Sequence, residues 1–166
     1  LRWLRAEVVE RMNRGMSEAE ILADMSYPPE LFDHPWMAPT YGCADYIVRD
    51  LYREENGWWD RNPTTLHPSP PDQAASEILS AVGDPATVVN QAKELAQKGQ
   101  TQLALHVIDL VALAPGDDPM VAEARAVKAE LCRVRSEEVE PFVSKSCYRS
   151  SARLLDEGHT SWQDLP

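Results

Sequence analysis

Apolar positions recur at helical spacing along most of the chain, and two proline-dense stretches interrupt them. Residues 2–14 place Trp3, Leu4, Val8, Val9 and Met12 near a 3.6-residue period, and Gly15 marks the stop. Ser17 with Glu20 three residues on forms a capping box, which predicts a short helix through Met25 with Ile21, Leu22 and Met25 on one face. Two short antiparallel helices are therefore expected. Pro28, Pro29, Pro35 and Pro39 then fix φ and remove backbone donors, so residues 26–39 read as an extended arm rather than a helix. That arm carries Leu31, Phe32, Trp36 and Met37, and so much apolar surface must lie against its own core or another chain. Residues 40–55 form the next helix, with Tyr41, Asp45, Val48 and Tyr52 beside a second stripe of Ala44, Ile47 and Leu51, and Gly57 stops it. Pro63, Pro68, Pro70 and Pro71 make the following connector, whose length of about 14 residues favours a functional or interface role.

From residue 72 the pattern changes to Ala-rich helices. They are expected at 72–82 before Gly83, at 85–98 between the N-cap Asp84 and Gly99, at 100–113 before Pro115, and at 117–135 behind Asp117 or Asp118. A last helix over about 138–157 holds Pro141 in its first turn and stops at Gly158. No segment alternates as a strand does, and residues 160–166 are expected to fray. Ala92, Leu95, Ala96, Gly99, Ala104, Leu105, Ile108 and Pro115 follow the small-residue spacing of a tetratricopeptide (TPR) unit, and Ala122, Ala124, Ala126, Ala129 and Leu131 continue it. Fewer than three repeats are present, so the fold class expected is all-α: a helical bundle with proline-rich arms and a TPR-like helical hairpin set. One domain is expected, organised as helices and arms over 1–71, a TPR-like half over 72–158 and a tail over 159–166.

At 166 residues and 43% hydrophobic the chain buries a real core. Its net charge of −11 repels phosphate backbones and anionic lipid, which argues against nucleic acid and membrane surfaces as partners. Neither a bilayer-length apolar run nor a signal peptide is present, so the chain reads as soluble as given. It begins at Leu1, which suggests a piece of something longer; its compartment stays open, with the cytoplasm favoured. Cys43, Cys132 and Cys147 lack CxxC spacing and read as reduced thiols. His34, His67, His106 and His159 are scattered, so no metal site and no cofactor are expected in this chain. No nucleophile elbow, phosphate loop or Cys/His pair appears, and adjacent carboxylates such as Glu54–Glu55 diverge by about 100° on a helix, so catalytic residues are not expected here. The run Trp58-Trp59-Asp60-Arg61-Asn62-Pro63-Thr64 stands out, and both a Trp-anchored structural turn and an interface or pocket wall fit it.

Several motifs then converge. Pro28-Pro29-x-Leu31-x-Asp33-His34-Pro35, Tyr41-Gly42, Val48-Arg49-x-x-Tyr52 and Gly57-Trp58-Trp59-Asp60-x-Asn62-Pro63-Thr64-x-Leu66-His67-Pro68 resemble the dimerisation domain of the alkyl sulfatases, zinc-dependent hydrolases of the metallo-β-lactamase fold that cleave sulfate esters. Tyr148-x-Ser150-Ser151-Ala152-x-x-Leu155 is similar to that domain's closing helix. The resemblance covers nearly the whole chain. It implies a homodimer clasped by proline-rich arms, with Leu31, Phe32, Trp36 and Met37 at the interface. It further implies a partner metallo-β-lactamase domain, in cis or in trans, that holds the zinc and whose pocket this domain roofs. By the same resemblance Tyr41 reaches toward a sulfate oxygen, and Trp58, Trp59 and Asn62 supply wall and turn. Departures include the second Trp, Arg61 where the family often has Gly, and Ser146-Cys147 where it has an Arg-Asn pair. The rival readings are a stand-alone TPR-like adaptor that binds a peptide, and an enzyme in its own right.

Overall fold

The computed structural model describes residues 1–160 and Trp162. Among the described residues, ten α-helices and one 3-10 turn make up the regular structure, and there is no strand. The chain divides after Pro68 into two units.

The first unit is built on α1 (Arg2–Asn13), α2 (Glu18–Asp24) and α4 (Ala44–Asn56). Leu4, Val8, Ile21, Val48 and Tyr52 form its buried centre, one stripe from each helix, with Trp3, Met12, Ile47 and Leu51 half-buried around them. Between α1 and α2 the chain reverses in a Schellman turn, where the Gly15 N–H reaches Met12 O at 2.9 Å and the Met16 N–H reaches Arg11 O at 3.2 Å. Gly15 sits at φ 84, which glycine adopts without a Cβ clash. The capping box forms as expected: the Ser17 N–H donates to Glu20 Oε2 at 2.8 Å while Ser17 Oγ accepts from the Glu20 N–H.

The first proline-rich segment differs from the extended arm expected, and the second connector also holds a helical turn. Residues 26–39 contain a helical turn, α3 (Pro29–Phe32), and a 3-10 turn over Pro35–Met37, and the second connector contains α5 (Pro63–Leu66). Each short turn carries Pro at its start, where the missing N–H costs nothing and the fixed φ is already helical. His34 Nδ1 caps the Trp36 N–H, and Asn62 Oδ1 caps the Thr64 N–H. Helix α4 begins at Ala44 rather than residue 40, since Cys43 is extended at φ −140 and serves as the N-cap. Tyr41 therefore lies in a loop and not on the helix stripe.

The second unit comprises α6 (Pro71–Ala81), α7 (Pro85–Gln97), α8 (Thr101–Ala112), α9 (Pro119–Glu138) and α10 (Phe142–Asp156). Helix α9 is the centre, packing against α8 and α10 through Val121, Ala124, Ala129, Leu131 and Cys132. Alanines at these positions let helix axes approach closely. Three residues join α7 to α8, and the Gln100 N–H to Leu95 O bond of 2.9 Å closes that turn around Gly99. Helix α9 runs three residues past the expected 135, and α10 starts at Phe142, so Pro141 is its N-cap rather than a residue of its first turn. The extension places Glu138 beside Thr101, whose buried hydroxyl donates to Glu138 Oε1 at 2.5 Å. The fraying expected of 160–166 falls chiefly on residue 161 and residues 163–166, which lie outside the described residues.

One feature of this unit has no signature in the periodicity. Arg125 on α9 donates to the carbonyls of Ala112 at 3.3 Å, Ala114 at 2.6 Å and Gly116 at 3.2 Å. A single guanidinium thus satisfies three acceptors where α8 ends and the chain turns toward α9.

Candidate functional site

Two surfaces of the first unit collect the sequence-predicted site residues. The arm is tied down at its root: Phe32 packs against Trp3 and Tyr27 with ring centroids 5.5 and 4.9 Å away. The Tyr27 hydroxyl donates to Asp45 Oδ1 at 2.6 Å, and burial, reinforced by that carboxylate, pushes its pKa well above the ordinary phenol value. Of the four arm residues, Phe32 is thus already committed to its own core. Around this anchor the arm is open to solvent, with Leu31 48% exposed just before it, Trp36 87% and Met37 49% after it, and Tyr41 at 72% further on. A groove of about 490 Å³ runs beneath, lined by Leu4, Phe32, Trp36, Met37, Tyr46 and Ile47 among others, and no charged side chain lines it.

The second surface is the Trp turn that follows α4. Asn56, the last helical residue, uses both ends of its amide: Nδ2–H donates to Trp59 O at 2.7 Å, while Oδ1 accepts from Arg61 Nε at 3.0 Å and Nη2 at 2.8 Å. The Trp59 indole N–H donates to Asn62 O at 3.0 Å. Asp60 accepts from the Thr65 hydroxyl and, at 2.9 Å, from the Asn62 N–H, and these donors hold its carboxyl below the usual range. Arg61 is the one described non-glycine residue at positive φ, 67. Trp58 is left 77% exposed at the edge of a 330 Å³ hollow that Trp59, Tyr52, Arg53 and Glu18 also line.

Trp58, Trp59 and Asn62 therefore share one turn, as their spacing suggested. Tyr41 belongs to the other surface, one residue before Gly42 in the groove lining. Sequence reasoning missed Asn56 and Arg61, the clamp that holds the turn to α4. The only signals were a polar residue ahead of the Gly57 stop and an Arg where glycine would suit a left-handed backbone. Among the described residues no group of three His, Cys, Asp or Glu side chains is placed to hold a metal ion. No helix among them is long and apolar enough to cross a membrane.

The described residues are thus all-helical, with an exposed apolar arm and a Trp-bearing Asn-Pro turn. The family model for alkyl sulfatase dimerisation matches residues 17–158, and the chain belongs to that family. It is 27% identical over 157 residues to an (R)-specific secondary-alkylsulfatase of a Pseudomonas species, covering 94% of this chain and 23% of that protein. It is 26% identical over 125 residues to a linear primary-alkylsulfatase of Pseudomonas, covering 75% of this chain and 24% of that protein. The solved structure of a stereoselective inverting sec-alkylsulfatase from Pseudomonas superposes with a TM-score of 0.80 at 26% identity, over 95% of this chain and 24% of that one. The chain thus spans about a quarter of the length of these relatives. The matches bear out the dimerisation-domain reading and not the stand-alone adaptor.

Proposed function

We propose that this domain joins two copies through the arm of the first unit and completes the substrate pocket of a sulfatase catalytic domain, in cis or in trans. The observation that carries the reading is the outward apolar arm. Leu31, Trp36, Met37 and Tyr41 are held out by a root anchored through Phe32 and Tyr27. Aromatic side chains bury about 150–250 Å² each, so Trp36 and Tyr41, with Leu31 and Met37 beside them, supply a large part of the roughly 800 Å² per partner that a stable interface needs. Family kinship supports the same assignment.

The reaction proposed for the assembled protein is hydrolysis of an organic sulfate ester. The relatives bear the names of alkylsulfatases, and this is an inference from them to the present chain. Zinc, in this reading, belongs to a metallo-β-lactamase-type domain, and the residues described here offer it no site. Tyr41 would donate a neutral hydrogen bond to a sulfate oxygen, and the Trp turn would form part of the wall. Light scattering across a concentration series tests the assembly step. A mass twice that of one chain is expected, and a monomer at every concentration would overturn it. Tyr41→Phe in a complex with the zinc-bearing domain should lower turnover; undiminished turnover would remove Tyr41 from the pocket.

A further inference from the structure

Helix α8 of the second unit presents an apolar stripe to solvent. Leu103, His106, Leu110 and Leu113 are exposed, while Ala104, Ile108 and Val111 of the same helix are buried in the core. Leu113 extends the stripe past the last helical residue because its backbone, at φ −82 and ψ −12, stays helical. The intervals of 3, 4 and 3 residues are those of a helix that packs along another by knobs into holes. His106 fits such a seam, since an imidazole has an apolar body and a polar tip that can stay in water. The stripe also lacks charge. Helix α8 contains one charged residue, Asp109, and Lys128 on α9 holds it at 2.7 Å. The other four helices of the unit each expose charged side chains, among them Glu77, Lys93, Glu123 and Arg149. Single exposed apolar residues such as Val134 and Phe142 are ordinary at a surface, whereas three leucines in register on one uncharged helix face are not.

Three observations choose the occupant. All five helices of this unit lie within residues 17–158, the span matched by the dimerisation family, so self-association belongs to this unit as well as to the one that carries the arm. Two chains of net charge −11 repel one another, and a face without charge is where they can meet at least cost. The 3-4-3 spacing reads the same from either end, so the stripe is complementary to itself about a two-fold axis. With that axis level with residue 108, Leu103 meets the second copy's Leu113, and His106 meets its Leu110. We propose that α8 packs antiparallel against α8 of a second copy. The inference rests on the self-association read above and adds to it a contact outside the arm. Four side chains bury far less than the roughly 800 Å² per partner of a stable interface, so the seam adds to the arm's association and does not sustain a dimer alone.

The test is disulfide trapping in the full chain with Cys43→Ser and Cys147→Ser, which leaves only the buried Cys132. Leu103→Cys and Leu113→Cys chains are oxidised with glutathione disulfide, each alone and after subunit exchange in a mixture, and read on a non-reducing gel. A cross-linked dimer is expected from the mixture and not from either chain alone, because antiparallel packing sets residue 103 against residue 113. No cross-link in the mixture, or one equally strong from either chain alone, would overturn the proposal. Leu103→Glu with Leu113→Glu sets like charges against each other across the seam. It should weaken self-association tenfold or more in sedimentation, with an unchanged melting temperature because both side chains are exposed. Association as tight as that of the wild type would also overturn the proposal. The arm is judged apart from this by Trp36→Asp with Met37→Asp. Dissociation of that variant alone would sink the seam and leave the arm, whereas cross-linking in the mixture with undiminished association of that variant would sink the arm and leave the seam.

Discussion

At the residue scale, the sharpest assignments are polar side chains whose partners lie far away in sequence. Glu138 is held below the ordinary carboxylate range first by the Thr101 hydroxyl and then by Arg135. A carboxyl whose folded pKa is depressed contributes stability that is full above its unfolded value, near 4.3, and is lost as pH falls through the folded pKa. Thr101→Val keeps the buried shape and removes the donor, so Glu138 should titrate closer to its ordinary value. The melting temperature of the wild type should then fall more steeply between about pH 6 and pH 3 than that of the variant, as thermal melts monitored by circular dichroism will show. Arg61→Gly makes an opposite trade: it relieves a left-handed non-glycine and loses two N–H···O bonds to Asn56. With roughly 1 kcal/mol on each side, stability should barely change while the turn loosens.

At the element scale, the Trp turn hangs on the end of α4 and the second unit hangs on α9. Asn56→Ala cuts both ends of the clamp, so the half-buried Trp59 should become solvated. Red-shifted emission and easier acrylamide quenching are expected, with a global loss of only about 1–2 kcal/mol because the turn lies outside the unit's core. In the second unit Ala124 is fully buried where helices crowd. Ala124→Leu should cost about 1–3 kcal/mol by overpacking, measured by chemical denaturation, whereas the same change at exposed Ala122 should cost little. Helix starts were legible where the first turn carries its own chemistry, as at Ser17–Glu20 and Asp84. They were misread at Pro29, Pro35 and Pro63, because proline breaks a helix interior but begins a helix well, and only the neighbouring caps decide which applies.

At the scale of the whole molecule, the proposed assembly through the apolar arm would work against charge. Two chains of −11 each repel one another, so if the arm is the interface, added salt should tighten the dimer by screening rather than weaken it. Trp36→Asp with Met37→Asp should convert the dimer to monomers without lowering the melting temperature of the isolated chain, since both side chains are exposed in it. Equilibrium sedimentation at two salt concentrations checks both outcomes.

The sequence by itself determined the all-α class, the ends of most helices and the apolar stripes of α1, α2, α4 and α8, because period and capping are local properties of the chain. It also picked out the Gly-Trp-Trp-Asp-x-Asn-Pro run and, through it, the family. What only the tertiary structure decided was where those residues point and what holds them. Phe32 turns into its own core while Trp36 turns out, Tyr41 leaves the helix, Arg125 closes the end of α8, and Asn56 with Arg61 fixes the Trp turn. Each depends on partners beyond the reach of one helical turn, or on which side of a residue the backbone bends. A one-dimensional pattern carries no record of such distances.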